Sequence, residues 1–158
     1  MGKIKCIYKL KNMKKLFLLI IPFLIFCSMI VSPTQNPWSI RIGKKEILDF
    51  QKNKLGDTIT LQKSKLKDTD TLYAERNLLG FTATNSVVVL SVKNDQEMII
   101  KDARNTSNTV IFAAQIPVKD LLASPEFVKG KFVTIYLTII SKQEKLRETA
   151  LMGVIKLK

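Results

Sequence analysis

The chemistry open to this chain is limited first by the residues that could serve as nucleophiles, bases or metal ligands. The 158 residues contain no histidine, and the only cysteines are Cys6 and Cys27. A Ser-His-Asp or Cys-His catalytic system would therefore lack its base, and a Cys/His zinc site would lack its ligands. Because both cysteines lie within the first 32 residues, we expect no disulfide in the rest of the chain, and we expect no cofactor.

Carboxylates remain as candidates for catalysis, because a glycosidase needs only two of them. The 13 Asp and Glu residues lie mostly in predicted turns and on polar strand faces. Asp68 and Asp70 resemble the start of a calcium loop, but that loop needs a glycine where Tyr73 stands and a glutamate where Leu79 stands. We therefore expect no metal site and no enzyme, with a small carboxylate-based glycosidase as the catalytic alternative.

Three lysines at every second position form the first candidate binding feature: Lys63, Lys65 and Lys67. In an extended strand their side chains would share one face. They could form a basic ridge for a ligand. The interpretation we favour is that they protect an exposed edge strand from pairing with another chain.

Tyr136, between Thr134 and Thr138, is the second candidate binding feature. Alternation along this segment places the three side chains on the polar face of a strand. An exposed tyrosine flanked by threonines can contact a glycan or another protein. The alternative, which we favour, is that Tyr136 packs against the neighbouring strands.

The first 32 residues have the pattern of an export signal. Six lysines and no acidic residue accompany an apolar run from Leu16 to Val31, and a basic segment before a short hydrophobic one is typical of a signal peptide. By the positive-inside rule, the N-terminus stays in the cytoplasm and the rest of the chain is exported, to the periplasm, the cell envelope or the medium. Met13 is a second candidate start, because Lys14-Lys15-Leu16 follows it directly.

Three fates of this leader stay open: cleavage, retention as a membrane anchor through residues 16–31, and lipidation at Cys27. The favoured fate is cleavage, although Ser32 and Pro33 make a poor match to the small-residue pattern of a processing site. A spanning helix needs about 20 apolar residues, and Pro22 interrupts a shorter run here. Lipoprotein signals carry a small residue before the cysteine, whereas Phe26 is bulky.

The charge that remains after the leader is moderately positive. Six of the 26 basic residues and none of the 13 acidic ones lie in the leader, so the exported part carries 20 basic residues against 13 acidic ones, a net charge of +7. Such a charge favours anionic partners, such as acidic glycans or lipid head groups. Lysine is also a common solubilising surface residue, and we expect no nucleic-acid partner.

After a tether over residues 33–37, the segment from Trp38 to Lys158 is predicted to form one all-β domain. Alternation places Trp38, Ile40 and Ile42 on one face of a first strand. The segment from Phe132 to Ile140 is long and strongly β, and Val87 to Lys93 has the strongest signal of a central strand. About nine short strands separated by turns predict an antiparallel β-sandwich, Ig-like or jelly-roll-like, with an open barrel as the alternative.

Three local predictions accompany this strand pattern. Pro117 is expected to open a single helical turn through Leu122, and Asp102 to Asn108 is expected to be a polar loop. Ser141 to Glu144 matches a capping box. A short helix to about residue 149 is therefore one interpretation, but we favour a loop with a turn before a last strand from Met152.

The order of segments resembles a family of small, uncharacterised exported bacterial proteins. The residues that carry the resemblance are Trp38-Ser39-Ile40-Arg41-Ile42-Gly43, Lys63-Ser64-Lys65-Leu66-Lys67, Val92-Lys93-Asn94-Asp95 and Thr134-Ile135-Tyr136. The resemblance implies export and a β-sandwich. It brings no activity and no site residues.

Together these observations lead to one functional expectation and two alternatives. We expect a non-catalytic exported or cell-envelope module that binds an envelope protein or a glycan, because a rigid sandwich presents loops and an outer sheet face to a partner. The alternatives are a membrane-anchored accessory subunit of an envelope complex and the glycosidase.

Overall fold

The computed structural model describes residues 36–78, 85–128, 130–143 and 145–158. The predicted leader over residues 1–32, with Met13, Cys27 and the residues of its hydrophobic helix, lies outside them, as does most of the tether. The described strands are β1 (Trp38–Ile42), β2 (Lys45–Asp49), β3 (Thr58–Leu61), β4 (Thr71–Asn77), β5 (Ser86–Lys93), β6 (Ile99–Ser107), β7 (Ile111–Pro117), β8 (Phe132–Ser141) and β9 (Leu146–Leu157). A 3-10 turn spans Lys63–Lys65, and one helix, α1, spans Val118–Leu122.

The strands form two sheets, in agreement with the predicted sandwich rather than the open barrel. One sheet has four strands in the order β2-β1-β4-β7, and the other has five in the order β3-β9-β8-β5-β6. The pairing is antiparallel except between β3 and β9, which run parallel. The prediction of a purely antiparallel sandwich is therefore wrong at this one pair. A parallel partner needs a long crossover, and the chain supplies it between the third and the ninth strand.

The core lies between the inner faces of the two sheets, where the predicted alternation is confirmed. Trp38 and Ile40 of β1 are buried, and Ile42 packs against the same cluster. The inward residues of β8 are all buried: Val133, Ile135, Leu137 and Ile139. Burial of these apolar side chains is the main stabilising contribution in a domain whose described residues contain no cysteine.

The two sheets pack tightly against each other at Gly153 in β9. A Cβ atom there would lie 2.4 Å from Cδ1 of Leu48 and 3.3 Å from Cδ1 of Ile40. Both of these side chains are fully buried. The glycine follows Met152 at an irregularity in the β8–β9 register, where an extra residue lets two successive positions face the core.

The structure confirms one of the three local predictions and contradicts the other two. The helical turn after Pro117 is confirmed as α1. The predicted polar loop from Asp102 to Asn108 is wrong, because β6 continues to Ser107 and pairs with β5 along that stretch. The described residues between 142 and 149 form no helix, since β9 begins at Leu146. The favoured prediction of a loop before a last strand from Met152 is also wrong, because that strand starts six residues earlier. Glu144 of the predicted capping box lies outside the described residues.

Candidate functional site

A groove lies between the edges of the two sheets, and we call it the lysine groove. One wall is the β1–β2 hairpin at the edge of the four-stranded sheet. The other wall is β3 with the segment that follows it, at the edge of the five-stranded sheet. The groove has a volume of about 520 Å³, within the range of small-molecule sites. Its lining residues are Ile42, Lys44, Lys45, Ile47, Thr60, Leu61, Gln62, Lys65, Leu66, Lys67 and Asp70.

Four lysines form the rim of the lysine groove: Lys44, Lys45, Lys65 and Lys67. All four are exposed. None of their ammonium groups forms an ion pair or a hydrogen bond with another described residue. The single carboxylate among the lining residues is that of Asp70. The rim therefore has an excess of positive charge that the described residues do not neutralise.

The floor of the lysine groove is apolar and rests on the core. Its residues are Ile42, Ile47, Leu61 and Leu66, and each is half-buried and packs against the buried cluster. An apolar floor below a charged rim provides two kinds of contact in one site. The floor removes hydrocarbon from water, and the ammonium groups attract negative charge.

The three lysines predicted to share one face do not do so. Lys63 begins a 3-10 turn, in which side chains three positions apart are aligned and those two apart diverge. The Lys63 ammonium donates a 2.7 Å hydrogen bond to the carbonyl of Phe127, and it lies 6.0 Å from the centre of the Phe127 ring. Lys65 and Lys67 reach the groove instead. The expectation of an extended strand over 63–67 is therefore wrong.

Asp70 anchors the segment that follows β3 and lies close to the β1–β2 hairpin. Its Oδ2 accepts a 3.2 Å hydrogen bond from the amide of Lys67, and its carbonyl accepts one of 2.9 Å from the amide of Val118. Across the groove, the amide of Gly43 donates to the carbonyl of Thr71 at 3.0 Å. Gly43 adopts φ +58°, and a Cβ there would lie 2.6 Å from Oδ1 of Asp70. The hairpin can approach this close only because residue 43 has no side chain.

Tyr136 lies on the outer face of the five-stranded sheet, and its predicted exposure is only partial. Its hydroxyl donates to Glu97 at 3.3 Å, and the ammonium of Lys93 lies 4.7 Å from its ring centre. Lys93 also pairs with Glu97 at 3.0 Å. Burial, followed by the charge of Glu97, raises the pKa of Tyr136, whereas the hydrogen bond from Lys93 lowers the pKa of Glu97. These contacts favour the packing interpretation of Tyr136.

The threonines beside Tyr136 lie on the same outer face. Thr138 shares a 3.0 Å hydrogen bond with Thr149 on β9, and Thr134 is paired in register with Lys93 and Val154. No residue of β8 lines the lysine groove. The two predicted binding features therefore stay separate.

A polar network on the outer face of the four-stranded sheet was not anticipated from the sequence. Glu75 on β4 accepts hydrogen bonds from the hydroxyls of Ser39 at 3.0 Å and Tyr73 at 2.9 Å. Arg41 lies 3.7 Å from the same carboxylate and 4.4 Å from the centre of the Tyr73 ring. Alternation in β1 and β4 could have placed these residues on one face, but their partnership depends on the β1–β4 register.

Glu75 of this network and the nearby Asp49 bear on the glycosidase alternative. Glu75 and Asp49 line a depression of about 300 Å³, and a glycosidase needs one carboxyl kept protonated as its acid. Burial alone would raise the pKa of Asp49, but hydrogen bonds from the amides of Gln51 and Lys52 and the charge of Lys52 outweigh it and lower that pKa. Asp49 thus serves as the acceptor of a turn, which does not favour an acid role.

Two searches of the described residues concern metals and membranes. No group of three or more His, Cys, Asp or Glu side chains in this part of the chain is arranged to hold a metal ion. No helix in the same residues has the length and apolar character that crossing a bilayer requires.

Comparison with known proteins adds no further constraint on the site. No protein-family model matches the chain, and no curated protein matches it in sequence.

Proposed function

We propose that the chain is a non-catalytic exported protein of the cell envelope, and that the lysine groove is the surface with which it binds an anionic ligand. The observation that carries the proposal is the rim: four lysines that lack a described ionic partner converge on a concavity of about 520 Å³. Isolated surface lysines are common. Here four lysines from two segments about 20 residues apart surround one groove, and this arrangement supports a binding role.

Export rests on the leader, and it defines the setting of this function. The basic segment and the run from Leu16 to Val31 support passage across a membrane. In the second candidate function, the leader is retained and the domain acts as a membrane-anchored accessory subunit. The mass of the mature protein from its native host separates the two, because cleavage, an intact leader and a lipid on Cys27 each give a different mass. A mature protein that keeps its leader and resides in the cytoplasm would contradict export.

The finer description of the fold also belongs to this proposal. The sandwich is proposed to be Ig-like or jelly-roll-like, folds that present a binding surface on loops or on an outer face. Assignment to either of these folds must account for the parallel pairing of β3 with β9.

The binding proposal is tested by titrating the ¹⁵N-labelled full-length protein with glycerol 3-phosphate, an anion without an alkyl chain. We expect saturable shifts of the amide signals of Lys44, Lys65 and Leu66, weakened by added salt. The charge-reversed variant, Lys65→Glu with Lys67→Glu, should lose them.

The matched control is Lys142→Glu with Arg147→Glu, which changes the net charge equally. Both control residues are exposed and lie at the opposite end of the five-stranded sheet. From Leu157 to Leu146, β9 spans about 36 Å at roughly 3.3 Å per residue. Retained binding in the charge-reversed variant would show that phosphate does not bind at the groove. Equal loss in the control would show that phosphate senses only the overall charge. Either result would overturn the proposal.

A further inference from the structure

The lysine groove combines charge with an apolar floor, and this combination narrows the chemistry of the ligand. A purely ionic ligand would use only the rim. Ile47, Leu61 and Leu66 are half-buried and rest on the core, so a hydrocarbon chain in the groove would extend the existing apolar packing. The floor therefore matches a part of the ligand that carries no charge.

We infer that the ligand of the lysine groove is an anionic amphiphile, a single alkyl or acyl chain bearing a phosphate or a carboxylate. This inference rests on the proposed function and specifies its ligand class. The chain lies along Ile42, Ile47, Leu61 and Leu66, between the edges of the two sheets. The anionic group lies among Lys44, Lys45, Lys65 and Lys67 at the mouth of the groove.

The surface around the groove favours capture of one amphiphile over docking on a bilayer. A protein that inserts into a membrane surface carries protruding apolar side chains beside its basic residues. The large apolar side chains exposed in the described residues are Leu55, Met98, Ile99, Val110, Ile111, Val128, Phe132 and Leu151. None of them lines the lysine groove. The apolar side chains of the groove lie in its floor and are half-buried, as a site for a single alkyl chain requires.

Among the described residues that line the groove, the four lysines are the ones that carry positive charge for the anionic group. Thr60 and Gln62 line one wall, and Asp70 is held by the amide of Lys67. An ammonium on a long flexible stem can reach an anion at several depths. The rim therefore favours ligands with a negative charge. The extent of the apolar floor sets how much of the alkyl chain can be buried.

The test is a chain-length series of monomeric alkyl phosphates, from hexyl to dodecyl, titrated into the full-length protein by calorimetry. Each methylene that enters the groove should tighten binding roughly three- to fourfold until the groove is full. Decyl maltoside, with a similar chain and no charge, should bind at least tenfold more weakly than decyl phosphate. In co-sedimentation of the full-length protein with vesicles of anionic phospholipid, Lys65→Glu with Lys67→Glu should cause no greater loss than Lys142→Glu with Arg147→Glu.

Substitutions of Leu66 test whether the alkyl chain lies on the floor of the lysine groove. Leu66→Ser should flatten the dependence on chain length, and Leu66→Met, which keeps an apolar side chain of similar volume, should restore it. If Leu66→Ser does not fold, the chain-length series on the wild type still decides. Affinity independent of chain length, with the glycerol 3-phosphate shifts intact, overturns this inference and leaves the proposed function standing. Absence of binding to both probes overturns both proposals. A loss of vesicle co-sedimentation that is greater for the groove variant than for its control overturns this inference and assigns the groove to a membrane surface.

Discussion

The contact between Gly43 and Asp70 predicts that replacing Gly43 with alanine damages both stability and binding. Residue 43 adopts φ +58°, a left-handed conformation that costs an alanine about 1–2 kcal/mol. The new Cβ would also lie 2.6 Å from Oδ1 of Asp70. Overpacking of this kind costs about 1–3 kcal/mol. We therefore expect Gly43→Ala to lower the free energy of unfolding by about 2–5 kcal/mol.

Gly130 provides a matched control for the backbone contribution. It adopts φ +85°, and a Cβ there would meet nothing within 4 Å. Gly130→Ala should therefore cost only the conformational part, about 1–2 kcal/mol. For a domain of this size each kcal/mol lowers the melting temperature by about 4 °C. Thermal and urea unfolding of the two variants thus isolate the contribution of the contact with Asp70.

The same substitution should affect the lysine groove. If Asp70 moves to accept the new methyl group, the amide of Lys67 loses its acceptor, and the wall that carries Lys65 and Lys67 shifts. We expect weaker binding of decyl phosphate to Gly43→Ala and unchanged binding to Gly130→Ala. Equal loss of stability in the two variants, with equal binding, would show that the contact does not position the groove and would refute the reasoning.

Two further predictions concern other parts of the domain. Gly153→Ala should lower the free energy of unfolding by about 1–3 kcal/mol, because its Cβ would overlap Leu48; a double-mutant cycle with Leu48→Ala should show less than additive loss, and strict additivity would contradict it. Burial, and then the hydrogen bond to Glu75, raises the pKa of Tyr73 above 10.0, so its contribution to stability is present below about pH 10 and is lost as the pH rises through the folded-state pKa. Urea midpoints between about pH 8 and pH 11 should therefore fall less steeply for Tyr73→Phe than for the wild type.

The sandwich could be predicted from the sequence where a strand has one apolar and one polar face. The strand β8 shows this directly, because Val133, Ile135 and Leu137 alternate with polar residues and are buried. The stretch from Asp102 to Thr106 has no such signal. It belongs to an edge strand, and most of its side chains are exposed. Its pairing with β5 depends on backbone hydrogen bonds, which polar composition does not reveal.

The lysine groove could be predicted only in part. Lys65 and Lys67 are conspicuous in the sequence, but Lys44 and Lys45 join them only because β3 pairs in parallel with β9 and so faces the hairpin. The end of β3 also decides the orientation of the lysines. Lys158 accepts from the amide of Lys63 and donates to Leu61, and the chain then turns before Lys65. No local pattern encodes a contact between segments so far apart.

One rival explanation of the rim remains to be separated from binding. The lysine groove is flanked by β2 and β3, the outer strands of their sheets, and charged residues at such edges prevent association with other chains. Edge protection depends on the presence of charge and not on its sign. Lys65→Glu with Lys67→Glu should therefore preserve a monodisperse protein under both explanations, whereas Lys65→Gln with Lys67→Gln should promote self-association only if the lysines protect the edges. Binding of an anionic amphiphile requires positive charge. If the rim is a binding site, the glutamate variant loses the ligand while its solubility stays intact, and that pairing of results cannot arise from edge protection alone.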